Sequence, residues 1–174
     1  MSRSATAAMA ALVVAAIGSI AEAADDYPTL KAGRWELATR TSTQKPGDPP
    51  LASSMCLDDA TSREMSRFSQ GMMDGMCSRF EVRRSGSRYT SEATCTLGGS
   101  KMLARSTMTM SGDAAYRIEG RSTYDPPFLG IAEATTTVDA RHTGPCAPGQ
   151  KPGDMTTAGG QTINIRSLSK AGRP

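Results

Sequence analysis

The chain has 174 residues, a net charge of +3 from 20 basic and 17 acidic residues, and one histidine. That length suits one domain, the near-balanced charge leaves no strong nucleic-acid footprint, and the lone imidazole leaves very little room for imidazole catalysis or a histidine-based metal site. Seventeen glycines and ten prolines, with only 5% aromatic residues, mark a turn-rich β-protein and not a helical bundle.

The N-terminus is tripartite. Arg3 is a short positive region, residues 7–20 are an apolar run, and Ala21-Glu22-Ala23 fits the small-x-small rule of signal peptidase. The run is too short for a membrane span, which needs about 20 apolar residues. Residues 1–23 are therefore expected to be a signal peptide and residues 24–146 a β-rich exported domain. The expected location is the periplasm, or the medium of a secreted protein, with no transmembrane anchor after processing.

Alternation then predicts a first strand over residues 33–39, which carries Trp35, the only tryptophan, with Leu37 on the same face. A Pro- and Gly-containing loop leads to a short second strand over residues 51–56. Asp58-Asp59 is placed to cap a helix running from Ala60 to about Gln70, with Met65 and Phe68 on one side, and the glycines of residues 71–75 are expected to end it. Residues 79–93 read as a hairpin turning at Gly86-Ser87. Leu97-Gly98-Gly99-Ser100 turns into a strand over residues 101–110, on which Met102, Ala104, Ser106, Met108 and Met110 share a face. Ser111-Gly112-Asp113 turns into a strand from Tyr116 to Gly120, Asp125-Pro126-Pro127 breaks that strand, and residues 131–141 form the last. Seven strands at this spacing predict a mainly β fold: an antiparallel meander curled into an open barrel or half-barrel, with one short helix. Residues 147–174 contain few large apolar side chains and are expected to be a mostly flexible tail, with residues 163–165 its only strand-like piece.

Export gives the four cysteines a meaning. Cys56, Cys77, Cys95 and Cys146 are an even set without a C-x-x-C motif, so two structural disulfides are the default over zinc or thiol-redox chemistry. A two-residue Gly86-Ser87 turn places Phe80 and Val82 beside Ala93 and Ser91, which leaves Cys77 one step from Cys95. A bulge would bring them together. That pairing leaves Cys56–Cys146 by elimination, while a Cys56–Cys77 bridge closing the helical excursion is the rival.

Lys31-Ala32-Gly33-Arg34-Trp35-Glu36, Cys56-Leu57-Asp58-Asp59, Cys77 before a strand, Cys95 ending its partner, and Gly144-Pro145-Cys146 complete a pattern. Over about residues 30–146 the chain resembles the domain-of-unknown-function 3617 family of bacterial exported proteins. Asp58 stands where the family pattern has Thr. The resemblance implies a periplasmic location and carries over no catalytic residue and no cofactor.

No residue pattern argues for an enzyme. His142 has no nucleophile elbow beside it, and the adjacent pairs Asp25-Asp26 and Asp58-Asp59 point their side chains apart, which makes them poor acid/base dyads. The four arginines Arg79, Arg83, Arg84 and Arg88 gather near the hairpin tip, where they suit an anionic partner or guard a strand edge. The expected function is non-enzymatic binding of a small hydrophobic ligand or an envelope component, with Trp35, Met108 and Met110 lining the ligand. The alternative is a Cu(I) protein using the thioethers of Met72, Met73 and Met76, against the plainer reading that methionine fills core space in a chain poor in aromatics.

Overall fold

The computed structural model describes residues 27, 28 and 30–167, apart from the side chains of 67–70, 72 and 74. The expected signal peptide lies outside the described residues, as do the Phe68 side chain and residues 168–174. In chain order the elements are β1 (Gly33–Thr41), β2 (Leu51–Leu57), α1 (Asp59–Met76), β3 (Cys77–Ser85), β4 (Arg88–Leu97), β5 (Ser100–Ser111), β6 (Ala115–Phe128), β7 (Ile131–Gly144), β8 (Asp154–Thr156) and β9 (Thr162–Asn164). All nine strands belong to one antiparallel sheet in the order β3-β4-β5-β6-β7-β1-β2-β8-β9. The sheet is open, with β3 and β9 as its edges, and the observed fold is mainly β with one short helix; β3 to β7 run as a meander, whereas β1 departs from it by pairing with β7.

Short turns set the registers. Ser85 pairs with Arg88 across Gly86-Ser87, and Leu97 with Ser100 across Gly98-Gly99. Gly86, Gly98 and Gly99 all have positive φ, as the primed turns of tight hairpins require. From Arg79 to Ser85 the β3–β4 register is the one expected from the turn, and a shift between Cys77 and Arg79 brings Cys77 opposite Cys95. The disulfides are Cys77–Cys95 and Cys56–Cys146. The rival Cys56–Cys77 bridge is excluded.

Three boundaries differ from expectation. First, α1 runs on through Gly71 and Gly75 to Met76, although each helical glycine costs about 1 kcal/mol relative to alanine. Its end is fixed from outside: Cys77 is tied to β4, and its amide donates to the Met73 carbonyl. Second, β6 continues past the prolines. Its pairing with β5 ends at Asp125, and its pairing with β7 skips from Thr123 to Phe128, so neither proline is asked for a ladder hydrogen bond it cannot donate. Third, part of the expected flexible tail is structured. Met155 and Thr156 pair with β2, β9 pairs with β8, and the Gly153 amide donates to the Cys56 carbonyl.

The core lies on one face of the sheet. Trp35, Met55, Leu57, Tyr116 and Ala140 are buried there, with Leu37, Met65, Met108, Met110, Ile118, Val138 and Met155 half-buried against them. The Trp35 indole stacks obliquely on Tyr116 at 5.5 Å and donates to the Lys31 carbonyl at 2.8 Å. Gly33 sits at φ +128°, and a β-carbon there would collide with the Gly144 carbonyl oxygen and the His142 ring. The Lys-x-Gly-x-Trp run is thus a clasp between the start of β1 and the end of β7.

Candidate functional site

Because side chains alternate along a strand, the registers sort the strand residues onto two faces. The polar face carries paired charges: Arg79 and Arg83 both reach Glu81 at 3.0 Å, Arg117 reaches Asp139 at 2.6 Å, Arg121 reaches Glu133 at 2.6 Å, and Arg141 reaches Glu36 at 3.0 Å. The hydrogen bond from Arg79 holds the Glu81 carboxyl below the usual carboxylate range, and the Asp139 carboxylate raises the Arg117 guanidinium. These pairs face water and add little to stability.

The apolar face is organised in cross-strand rows. One row runs Arg84, Tyr89, Met108, Ile118, Val138, Thr39 and Leu51 across β3, β4, β5, β6, β7, β1 and β2. The next is Val82, Ser91, Ser106, Gly120 and Thr136, and the one after it Phe80, Ala93, Ala104, Ser122 and Ala134. Beyond these, Met102 and Tyr124 return to large groups on β5 and β6, beside the disulfide-bonded Cys95. Two rows of small side chains on β4 to β7 therefore lie between a row of large ones and this shorter wall. The small side chains are half-buried, and the Ser91 and Ser106 hydroxyls satisfy each other at 2.7 Å. Met65 of α1 packs against the Trp35 core, while the floor residues of β4 to β7 keep part of their surface exposed. The helix covers part of this face and not all of it.

The expected ligand-lining residues separate. Trp35 is 0% exposed and is a core residue with no surface to offer a ligand. Met110 is half-buried beside it, and Met108 belongs to the row that walls the small-residue floor. Among the expected metal ligands, Met73 sulfur rests 3.6 Å from the sulfur of Cys77, which is already bonded to Cys95. Met76 is exposed, and the side chain of Met72 lies outside the described residues. Among the described residues, no group of three His, Cys, Asp or Glu side chains is placed to hold a metal.

His142 is half-buried, with Nε2 2.9 Å from the Ala32 carbonyl and its ring edge-on to Trp35 at 5.9 Å. It closes the clasp. Asp58 caps α1 by accepting the Thr61 amide at 2.6 Å, and Thr61's hydrogen bonds hold the Asp58 carboxyl below its ordinary range. Of the four arginines, Arg84 alone projects from the apolar face of β3, while Arg79 and Arg83 belong to the polar face. This was readable from the Gly86-Ser87 turn, since the same register that pairs Val82 with Ser91 pairs Arg84 with Tyr89.

A cavity of about 700 Å³ lies over β7, β1 and β2 on the polar face, floored by Ala38, Ala52 and Ala115 and walled by Arg34, Glu36, Arg117, Asp139 and Arg141. Two smaller ones lie over β3 to β6. All three are open, and the guanidiniums of the largest already hold carboxylates. A polar ligand would have to compete with those partners.

The model of a family described as protein of unknown function (DUF3617) matches residues 30–146. The chain belongs to that family. The match begins just before the Gly33–Trp35 clasp and ends at Cys146, so it takes in the seven long strands and both disulfides and leaves β8 and β9 outside. Comparison with curated proteins and with solved structures found no match.

Proposed function

We propose that this DUF3617 protein is exported to the periplasm and, without enzymatic activity, binds a small hydrophobic ligand along the apolar face of its sheet. The observation that carries the reading is the half-buried floor of small side chains on β4 to β7, flanked by large apolar ones on a face that α1 covers only in part. Small ligands are held by mostly apolar walls with a few polar groups, and here the Ser91–Ser106 pair is the polar element at the floor. Export is supported by the pairing of all four cysteines, as suits an oxidising compartment. No helix among the described residues is long and apolar enough to cross a membrane.

The test is to titrate the oxidised protein, released from its leader, with an uncharged arylamine dye that accepts energy from tryptophan. Trp35 is the only donor and lies in the same sheet. Saturable transfer at about one equivalent, reversed by an excess of a long-chain lipid, is expected of one site. Unchanged Trp35 emission through the titration contradicts the reading.

A further inference from the structure

Charge is partitioned between the two faces of the sheet with one exception. Along the described strands the registers place the charged residues on the polar face, among them Arg34, Glu92, Arg105 and Asp139, and Arg84 alone on the apolar one. Its environment is also different. Arg79 and Arg83, its neighbours on the edge strand, each hold Glu81, and those charges suffice to guard the β3 edge. Arg84 donates from Nε to the Gly86 carbonyl at 3.2 Å, and its guanidinium carbon lies 5.4 Å from the centre of the Tyr89 ring. Both contacts steady the side chain, and neither neutralises it.

The terminal nitrogens of a guanidinium are a fork matched to a carboxylate. This fork stands at one end of the row Tyr89, Met108, Ile118 and Val138. From β3 to β7 that row crosses four interstrand spacings, about 19 Å, the length scale of one extended acyl chain. We infer that Arg84 anchors the carboxylate of a free fatty acid whose chain lies along this row, beside the floor of small side chains. The inference rests on the hydrophobic-ligand reading above and names its ligand class. A single chain fits one row, and a single carboxylate fits one unpaired guanidinium.

The experiment displaces the bound uncharged dye with a long-chain fatty acid and, in parallel, with the alcohol of the same chain length, using wild type, Arg84→Ala and Arg84→Lys. Wild type is expected to favour the acid by about tenfold or more, as for a hydrogen bond to a charged group. Arg84→Ala should bring the acid down to the alcohol's affinity without changing the alcohol or the dye, and Arg84→Lys should retain part of the preference. Dye binding with equal displacement by acid and alcohol in wild type overturns the anchor and leaves the hydrophobic site standing. Failure of the dye to bind overturns the site itself. Arg84-dependent sedimentation with anionic phospholipid vesicles, without preference for free acid over alcohol, shows a membrane headgroup to be the partner and equally overturns the inference.

Discussion

Tyr116 shows what burial does to a single group in this core. It stacks on Trp35, is 8% exposed, and burial pushes its phenol up from 10.0 to about 12. Below pH 10 the phenol is neutral in both the folded and unfolded states, so its burial is undisturbed. As pH rises from 10 toward 12 the unfolded phenol ionises first. Stability should fall across that window by up to about 1.4 kcal/mol per pH unit, and Tyr116→Phe should lose less than wild type when melted at matched alkaline pH. Equal losses in the two proteins would mean the phenol is hydrated in the folded state. Trp35 is the heavier test of the same packing. Trp35→Ala should cost about 3–5 kcal/mol, the range for truncating a buried large aromatic, measured by denaturant unfolding with the disulfides intact. An unchanged midpoint would place Trp35 outside the core.

Elements whose position follows from local rules were legible, and elements held by distant partners were not. The Gly86-Ser87 turn dictates the register of β3 and β4 as far as Arg79, and it shows that Cys77 needs a bulge to reach Cys95. Alternation placed Trp35 and Leu37 on one face, and Asp58 marked the start of α1. The end of α1 was not legible, because glycines that read as a stop are carried inside a helix held by Cys77. In the tail, the strand-like piece at residues 163–165 overlaps β9, but β8 was not legible, for a related reason. Its three residues carry little pattern of their own, and β8 exists because β2 offers it an edge.

Local polar contacts then hold that segment. Asp154 accepts the Lys151 amide and the Asn164 side chain, both at 2.8 Å, which keeps its carboxyl below the usual range, and Arg166 pairs with Glu64 of α1 at 3.2 Å. Removing residues 147–174 should therefore uncover the β2 edge, lower the melting temperature and cause concentration-dependent association on size-exclusion chromatography, since an unpaired strand edge recruits another. A shortened protein that melts as wild type and stays monomeric would show that β8 and β9 protect nothing.

At the scale of the whole molecule, two disulfides and one clasp hold an open sheet whose core is concentrated around Trp35. The Cys56–Cys146 bridge closes the longer loop, with a sequence separation of 90, against 18 for Cys77–Cys95, and so constrains the unfolded chain more. On the proposed reading, the rest of the apolar face takes the ligand. This distribution could not be read from composition, because the small-residue rows exist only once four registers are combined. The most direct test is at Gly120, in the floor of small side chains. A β-carbon there meets only ordinary contacts, 3.6 Å from the Ser106 β-carbon at nearest, and its φ is not in the left-handed region. Gly120→Leu should fill the floor and abolish energy transfer from Trp35 to the uncharged dye, while the melting temperature stays at or above that of wild type, since glycine inside a strand is itself destabilising. Undiminished transfer in a folded Gly120→Leu protein would contradict the account, because the ligand would then lie elsewhere.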